Sequence, residues 1–234
     1  MIQPAPALVL SAAAFVGACC GGSRRTVVLI GMRGVGKTTL GKGAAESLGF
    51  DFEDLDRTLE KDVGMTCRDF VAAHGWEAFR SKELEVLTAS LSSRATSHFR
   101  GRVLACGGGV VESTHAMALL KAWRGGRIVW IDRPIDAIAA GFGGAGGRPW
   151  AGLDEVKLRE MFARRKPLYE HACDHRLSVS ANCDAAAATA ELTGWIEQST
   201  DGQHEEPSGT LVVPYCQALG LLLLCLRQQF SANR

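Results

Sequence analysis

The chain has 234 residues, of which 47% are hydrophobic and 22% are charged, and its formal net charge is +1. This length suits one domain with extensions, and the composition is that of a globular protein with a buried core. The near-neutral charge excludes the basic surplus of a typical nucleic-acid-binding protein, so we expect no nucleic-acid partner. Eight cysteines are scattered without a Cys-x-x-Cys pair, which favours reduced thiols and a cytoplasmic protein.

Two apolar segments lie near the ends of the chain, at residues 7–20 and 211–226. Both are shorter than the roughly 20 residues of a membrane-spanning helix, so we expect no stable membrane insertion. The first is free of acidic residues, which keeps a targeting peptide for a plastid or another organelle as the alternative to a loosely packed leader. The sequence therefore predicts a leader over residues 1–25, a folded domain over 26–198, and a linker and tail over 199–234.

The middle of the chain alternates predicted strands and helices. The strands are expected at residues 26–30, 50–55, 103–106, 127–131 and 176–180. The helices are expected at about residues 37–48, 67–73, 76–91, 114–123, 153–169 and 185–198, with a further helix beginning near Pro134. Five short strands alternating with helices predict an α/β fold with a five-stranded parallel sheet that helices cover on both faces.

Residues 31–38 fit the phosphate-binding pattern G-x-x-x-x-G-K-[ST], between a predicted strand and a predicted helix. Glycines let backbone N–H groups turn toward phosphates, and the helix N-terminus adds its positive dipole end. Lys37 is placed to reach the terminal phosphates, and the Thr38 hydroxyl can bind Mg²⁺. The pattern predicts nucleotide binding but leaves the acceptor open. We expect the nucleotide to contact Gly31, Gly34, Val35, Gly36, Lys37, Thr38 and Thr39.

Polar residues beyond this loop indicate where an acceptor binds. Asp54 and Asp56 end the second predicted strand, where residues two apart share one face, so both carboxylates would point into one cleft. There one can lie near Mg²⁺ and the other can orient or deprotonate a hydroxyl; alternatively, both simply begin the next helix. Arg80 and Glu83 are three apart on a helix and can pair, which would fix Arg80 as a fork for a carboxylate. The glycines at 107–109 let a ligand approach bare backbone.

These motifs resemble those of the shikimate kinase family, and most of all the kinase module of the fungal pentafunctional arom polypeptide. They are G-M-R-G-V-G-K-T-T, D-L-D, G-W-E-A-F-R-S-K-E, C-G-G-G-V-V, R-P and R-K-P-L-Y, in the family's order. The resemblance covers about residues 26–198 and implies a three-layer P-loop kinase fold with a flexible lid. It implies a monomeric enzyme of chorismate and aromatic amino acid biosynthesis, which uses ATP and Mg²⁺ to phosphorylate the 3-hydroxyl of shikimate.

On the nucleotide side, the resemblance implies that Lys37 and Thr38 hold phosphate and Mg²⁺, with Asp54 supporting the metal. Arg148 would reach the transferring phosphate from a lid rich in glycine. On the acceptor side, Asp56 would bind hydroxyls and act as the base or orienting group. Arg80 and Arg165 would clamp the substrate carboxylate, and Glu83 would hold Arg80 in place. Backbone contacts to the substrate would come from Gly107, Gly108 and Gly109.

Two alternatives stay open from the sequence. One is another small P-loop kinase such as a gluconate kinase, since a sugar acid also carries a carboxylate that two arginines can bind. The other is a kinase-like regulatory domain without turnover, which a very flexible glycine-rich lid would favour. The presence of Lys37, Asp56 and Arg80 argues against the second alternative, because loss of such residues would have indicated it.

Overall fold

A computed structural model of the protein describes residues 25–93, 99–141 and 155–201. The predictions for the leader, the tail, the lid beyond Gly141 and Arg148 lie outside these residues. Within the described part of the chain, no helix combines the length and apolar character needed to cross a membrane. The cysteines at positions 67, 106, 173 and 183 are free thiols, in agreement with the expected reduced state.

The sheet has five parallel strands, as the sequence predicts. They are β1 (Thr26–Ile30), β2 (Asp51–Asp54), β3 (Arg102–Ala105), β4 (Gly126–Asp132) and β5 (His175–Ser178), in the spatial order β2-β3-β1-β4-β5. In the central strand β1, four consecutive side chains from Val27 to Ile30 are at most 1% exposed. Successive side chains point to opposite faces of a strand, so both faces of the sheet are covered.

Seven α-helices and one 3₁₀ turn connect and cover the described strands. The helices are α1 (Lys37–Leu48), α2 (Leu55–Val63), α3 (Cys67–Ser92), α4 (Thr114–Ala122), α5 (Ile135–Ala140), α6 (Glu155–Ala172) and α7 (Ala185–Asp201). The 3₁₀ turn is Val110–Glu112. Gly75 lies within α3 at φ +80°, so the chain breaks there between the two helices that the sequence predicts.

Sequence analysis missed α2 and the 3₁₀ turn. In α2, Leu55, Leu59 and Val63 recur every fourth position and are the residues that pack toward the core. That spacing is typical of one apolar helix face. The signal was therefore present, although the charged residues between these positions mask it. The other helices and the strands begin or end within a few residues of their predicted bounds.

Helix α1 lies close against the sheet because Gly41 carries no side chain. A β-carbon at Gly41 would lie 2.7 Å from Leu29 Cδ1 and 2.9 Å from Phe52 Cε2. Both atoms belong to side chains of strands β1 and β2. This close approach fixes the start of α1 directly after β1, where the phosphate-binding loop connects the two elements.

We expect Gly41→Val to destabilise the protein by about 1–3 kcal/mol, because the added methyl groups overpack the contact between α1 and the sheet. Gly194→Ala in α7 is the matched control, since an added β-carbon there meets no atom within 4 Å. Replacing this helical glycine should stabilise the protein by up to about 1 kcal/mol. Urea denaturation measures both changes, and equal stability of the two variants would contradict the close packing at Gly41.

Candidate active site

Three loops meet at the carboxyl edge of the sheet because β1, β2 and β3 are paired in parallel. Ala105 of β3 lies opposite Leu29 of β1 on one side and opposite Asp54 of β2 on the other. The segments that follow these three strands therefore begin side by side at the carboxyl edge of the sheet. This is the edge at which open α/β sheets bind their ligands.

The phosphate-binding loop follows β1 and wraps around the ammonium group of Lys37. Gly31, Gly34 and Gly36 have φ values of +141°, +84° and +102°, in the region that favours glycine. The turn brings the carbonyls of Gly31 and Met32 to 2.9 Å from Lys37 Nζ, which donates a hydrogen bond to each. The loop is therefore folded as its sequence pattern predicts, with its lysine directed inward.

Burial of Lys37 lowers the pKa of its ammonium group to about 8, although the nearby carboxylates of Asp56 and Asp54 oppose the shift. The unperturbed pKa of a lysine is about 10.4. Lys37 is therefore mostly protonated at neutral pH but titrates within the range in which enzymes are assayed.

Val35 and Thr39 differ from the rest of the loop in what they can offer a nucleotide. The Val35 side chain is 2% exposed and packs in the core, so only its backbone can reach a ligand. Thr39 is exposed and lines a surface groove together with Ala185 and Thr189 of α7. Their nucleotide contacts stay predictions.

Asp54 connects the loop after β1 to the loop after β2. Its Oδ2 accepts a hydrogen bond of 2.7 Å from the Thr38 hydroxyl. Its Oδ1 accepts from the N–H groups of Asp56 and Arg57 at 3.2 and 3.4 Å, and so caps α2. Asp54 thus both begins a helix and faces the phosphate-binding loop. β2 ends at Asp54 and Asp56 lies in the first turn of α2, so the alternative that both aspartates begin a helix is correct, although both also face the site.

Thr38 and Asp54 fit the chemistry of a magnesium site. Mg²⁺ prefers hard oxygen ligands and is usually held by one or two carboxylates together with waters and phosphate oxygens. A hydroxyl and a carboxylate lie together here at the start of α1. The described residues contain no group of three or more His, Cys, Asp or Glu side chains that could bind a metal ion by itself. This is consistent with an ion that takes part of its coordination from a nucleotide.

A cavity of about 330 Å³ lies beside the loop. All seven residues predicted for the acceptor side line it, namely Asp56, Arg80, Glu83, Gly107, Gly108, Gly109 and Arg165. Its size suits a small molecule. The structure therefore brings together the acceptor residues that the sequence spreads over more than one hundred positions.

Asp56 and Glu83 face each other across Gly107. A β-carbon at Gly107 would lie 2.6 Å from Asp56 Oδ1 and 2.6 Å from Glu83 Oε1, so only glycine leaves space there. Burial raises the pKa of Asp56, opposed mainly by Lys37, and burial raises the pKa of Glu83, opposed mainly by Arg80. Glu83 Oε1 is buried without a hydrogen-bond partner among the described residues.

The predicted pair of Arg80 and Glu83 is confirmed, with 2.6 Å between Arg80 Nη1 and Glu83 Oε2. The Arg80 guanidinium also lies over the rings of Trp76 and Phe79, 5.5 and 5.6 Å from their centroids. Arg165 is the more buried of the two predicted clamp residues, with 8% of its side chain exposed against 22% for Arg80. Both guanidinium groups are therefore held by protein contacts before any ligand is present.

Sequence analysis missed several residues around this cavity. Arg33 of the phosphate-binding loop lines the cavity. Buried Tyr169 donates its hydroxyl hydrogen to the carbonyl of Gly108 and so fixes the glycine turn. Arg164 is 63% exposed and binds Glu112 Oε1 at 2.7 Å. Tyr169 ends the R-K-P-L-Y motif and follows Arg165 by four residues on α6, so the motif contained this tyrosine but gave it no role.

Comparison with known proteins agrees with this geometry. A model of the family described as "Shikimate kinase" matches residues 33–195. The "Pentafunctional AROM polypeptide" of Yarrowia lipolytica is 37% identical over 172 residues, which cover 73% of this chain and 10% of that protein. The polypeptide of the same name from Eremothecium gossypii is 38% identical over 174 residues, with coverages of 73% and 10%. The chain thus matches about a tenth of the length of these curated relatives.

Two solved structures share the fold. The shikimate kinase from Acinetobacter baumannii, solved in complex with shikimate, is 28% identical and has a TM-score of 0.65, and the match covers 80% of this chain and 99% of that one. The shikimate kinase from Aquifex aeolicus has a TM-score of 0.61 at 24% identity, with coverages of 76% and 99%. With the family match over most of the described residues, these similarities show that the chain belongs to the shikimate kinase family.

Proposed function

We propose that this protein transfers the γ-phosphoryl group of ATP to the 3-hydroxyl of shikimate. The observation that carries the proposal is one cavity beside the phosphate-binding loop that is lined by both the arginine pair and the partly buried Asp56 carboxylate. Such a cavity suits an acceptor with a carboxylate at one end and hydroxyls at the other. The relative solved in complex with shikimate matches 80% of this chain, which supports shikimate as that acceptor.

Arg80 and Arg165 recognise the acceptor carboxylate in this proposal. Guanidinium groups form short, charge-assisted hydrogen bonds to carboxylates and fix their orientation. Arg80 lies on α3 and Arg165 on α6, so a carboxylate bound between them is oriented from two sides. The acceptor's hydroxyls then face Asp56, which lines the same cavity.

Asp56 accepts a hydrogen bond from the hydroxyl that is phosphorylated and takes its proton as the oxygen attacks. Because its pKa is raised, Asp56 is a stronger base than an ordinary aspartate and accepts the hydroxyl proton more readily. The positive charge of Lys37 opposes the effect of burial and keeps the pKa of Asp56 from rising further. Phosphoryl transfer requires mainly alignment and charge neutralisation, which the fixed cavity provides.

The phosphate-binding loop aligns the nucleotide. Lys37 exchanges its two carbonyl partners for phosphate oxygens and neutralises part of their charge. Thr38 and Asp54 are the residues that would hold Mg²⁺, which when bound supplies further neutralisation of the phosphates. We assign Arg148 the role of a second cation at the transferring group, as the family resemblance implies. A cytoplasmic location and a monomeric state stay predictions from the sequence.

The first test is ATP-dependent phosphorylation of shikimate by the purified protein and by Asp56→Asn. We expect the variant to lose turnover by about 10²-fold or more, because its amide cannot accept the proton. Binding of shikimate, measured by calorimetry, should persist because the arginine pair is intact. Asp62→Asn is the control, since Asp62 lies on the same helix α2 but its half-exposed side chain pairs with Lys82 at 3.7 Å outside the cavity.

The outcomes of this test separate the alternatives. Binding of ATP and shikimate without turnover in the wild type would favour a regulatory domain. Turnover on gluconate but not on shikimate would favour a sugar-acid kinase. Full activity of Asp56→Asn would disprove the role given to Asp56.

The pH dependence of kcat/KM for ATP tests the protonation states. Lys37 must be protonated to neutralise phosphate, and its pKa is lowered to about 8. We therefore expect kcat/KM, which reports the free enzyme, to fall above about pH 8. Asp56 must be ionised, and its raised pKa places the acidic limb above the range of an ordinary aspartate. Bound phosphates stabilise the ammonium form, so the alkaline limb of kcat should lie at higher pH. If kcat/KM for ATP stayed unchanged up to pH 10, the assignment of the alkaline limb to Lys37 would be wrong.

Gly109→Ala tests the position of Arg80. An added β-carbon would overlap the Arg80 guanidinium, which must then leave its place beside Glu83. We expect the KM for shikimate to rise at least about tenfold, equivalent to about 1.4 kcal/mol of lost binding, while the KM for ATP stays within about twofold. Gly194→Ala again serves as the control. An unchanged KM for shikimate would show that Arg80 does not bind the acceptor.

A further inference from the structure

Glu112 joins the two helices that carry the acceptor-binding arginines. Its Oε2 accepts a hydrogen bond of 2.6 Å from Arg165 Nη2 and one of 3.3 Å from Arg80 Nη2. Its Oε1 accepts from Arg164 Nε and Nη2 at 3.0 and 2.7 Å. One carboxylate therefore binds three guanidinium groups, one from α3 and two from α6.

The backbone holds Glu112 firmly in this position. It is the last residue of the 3₁₀ turn that begins directly after Gly109, and its N–H bonds to the Gly109 carbonyl at 3.0 Å. The next residue, Ser113, caps α4 through a 3.2 Å hydrogen bond from Ala116 N to its side chain. The carboxylate is thus placed by the same short segment that supplies the glycine backbone of the cavity.

Glu112 binds the arginines from outside the cavity. The described residues that line the cavity include Arg80 and Arg165 but not Glu112, so Glu112 contacts the arginines without being part of the cavity wall. Burial tends to raise the pKa of Glu112, but hydrogen bonds from Arg165 and Arg164 outweigh it and keep the pKa below the usual range. Glu112 is therefore ionised throughout the neutral range.

Mutual repulsion would separate the arginines without this carboxylate. Arg80, Arg164 and Arg165 carry like charges, and Arg165 is almost fully buried. Glu83 binds only Arg80 among them in the described contacts. A partner common to all three offsets the repulsion and reduces the number of conformations that each side chain adopts before ligand binding.

We propose that Glu112 is a positioning residue that holds Arg80 and Arg165 together as one carboxylate-binding pair and thereby sets the enzyme's affinity and selectivity for an acceptor with a carboxylate. The inference rests on the proposed function, since it assigns these arginines to the acceptor. It extends that function to a residue that does not touch the substrate.

The test compares the wild type with Glu112→Gln, which keeps the shape of the side chain and removes its charge. We expect the KM and the Kd for shikimate to rise about tenfold or more, with kcat at saturating shikimate and the KM for ATP within about twofold of the wild type. Glu85→Gln is the matched control, since Glu85 is an exposed carboxylate that binds Lys82 at 2.9 Å on α3. This control should leave all four quantities unchanged.

A second measurement separates positioning from a general loss of structure. The uncharged methyl ester of shikimate is titrated as a competitive inhibitor of both proteins. We expect Glu112→Gln to bind the ester about as well as the wild type does, so that the preference for the free carboxylate shrinks about tenfold or more. A structural defect in the cavity would weaken both ligands equally.

The inference fails if the affinity of Glu112→Gln for shikimate is unchanged, or if the ester and the acid lose affinity equally. It also fails if the KM for shikimate falls, because Glu112 would then compete with the substrate for the arginines. Failure of the proposed function is seen separately, as a wild-type protein that neither binds nor phosphorylates shikimate.

Discussion

Parallel pairing of β3 with both β1 and β2 is the constraint on which the site depends. Because Ala105 lies opposite Leu29 and Asp54, the loops after all three strands begin at one edge of the sheet. The loop after β1 supplies the phosphate-binding residues, the end of β2 and the first turn of α2 supply the two aspartates, and the loop after β3 supplies the glycine turn. Gly41 contributes to this arrangement from the other end of the loop, since it lets α1 approach the strands closely enough to hold Lys37 in place.

Charge balance in a buried space decides how the side chains at this edge are arranged. Lys37, Asp56, Glu83 and Arg165 are all largely buried, and an isolated charge in such surroundings is costly. Lys37 binds two backbone carbonyls, Glu83 binds Arg80, and Arg165 binds Glu112. The charge of Lys37 lies near Asp56. The partners are not fully matched, since Glu83 Oε1 and Arg165 Nε are buried without a hydrogen-bond partner among the described residues. These unmatched atoms lie on residues of the cavity wall, where a ligand can complete the pairing.

The sequence predicts the local parts of this site well and the long-range parts poorly. The phosphate-binding loop is predicted in full because phosphate chemistry fixes its spacing, and Arg80 pairs with Glu83 because three residues of helix separate them. Asp54 and Asp56 were identified from an expected strand, whereas the turn of α2 is what brings them to the cleft. Glu112 was missed because its partners on α6 lie more than 50 residues away, and no local pattern indicates such a contact.

The nucleotide side and the acceptor side of the site differ in how far apart their residues lie in the sequence. Apart from Arg148, the residues proposed to hold the nucleotide lie within one short stretch from Gly31 to Asp54, and any sequence that folds into this loop, helix and strand positions them. The residues proposed to bind the acceptor come from α2, α3, the glycine turn after β3 and α6, and they meet only when the whole domain has folded. Acceptor selectivity can therefore change through residues such as Glu112 that rearrange the arginines, while the phosphate-binding loop stays as it is. Nucleotide binding identifies only the fold and its reaction class, and we propose that the contacts around Glu112 help to select the molecule that is phosphorylated.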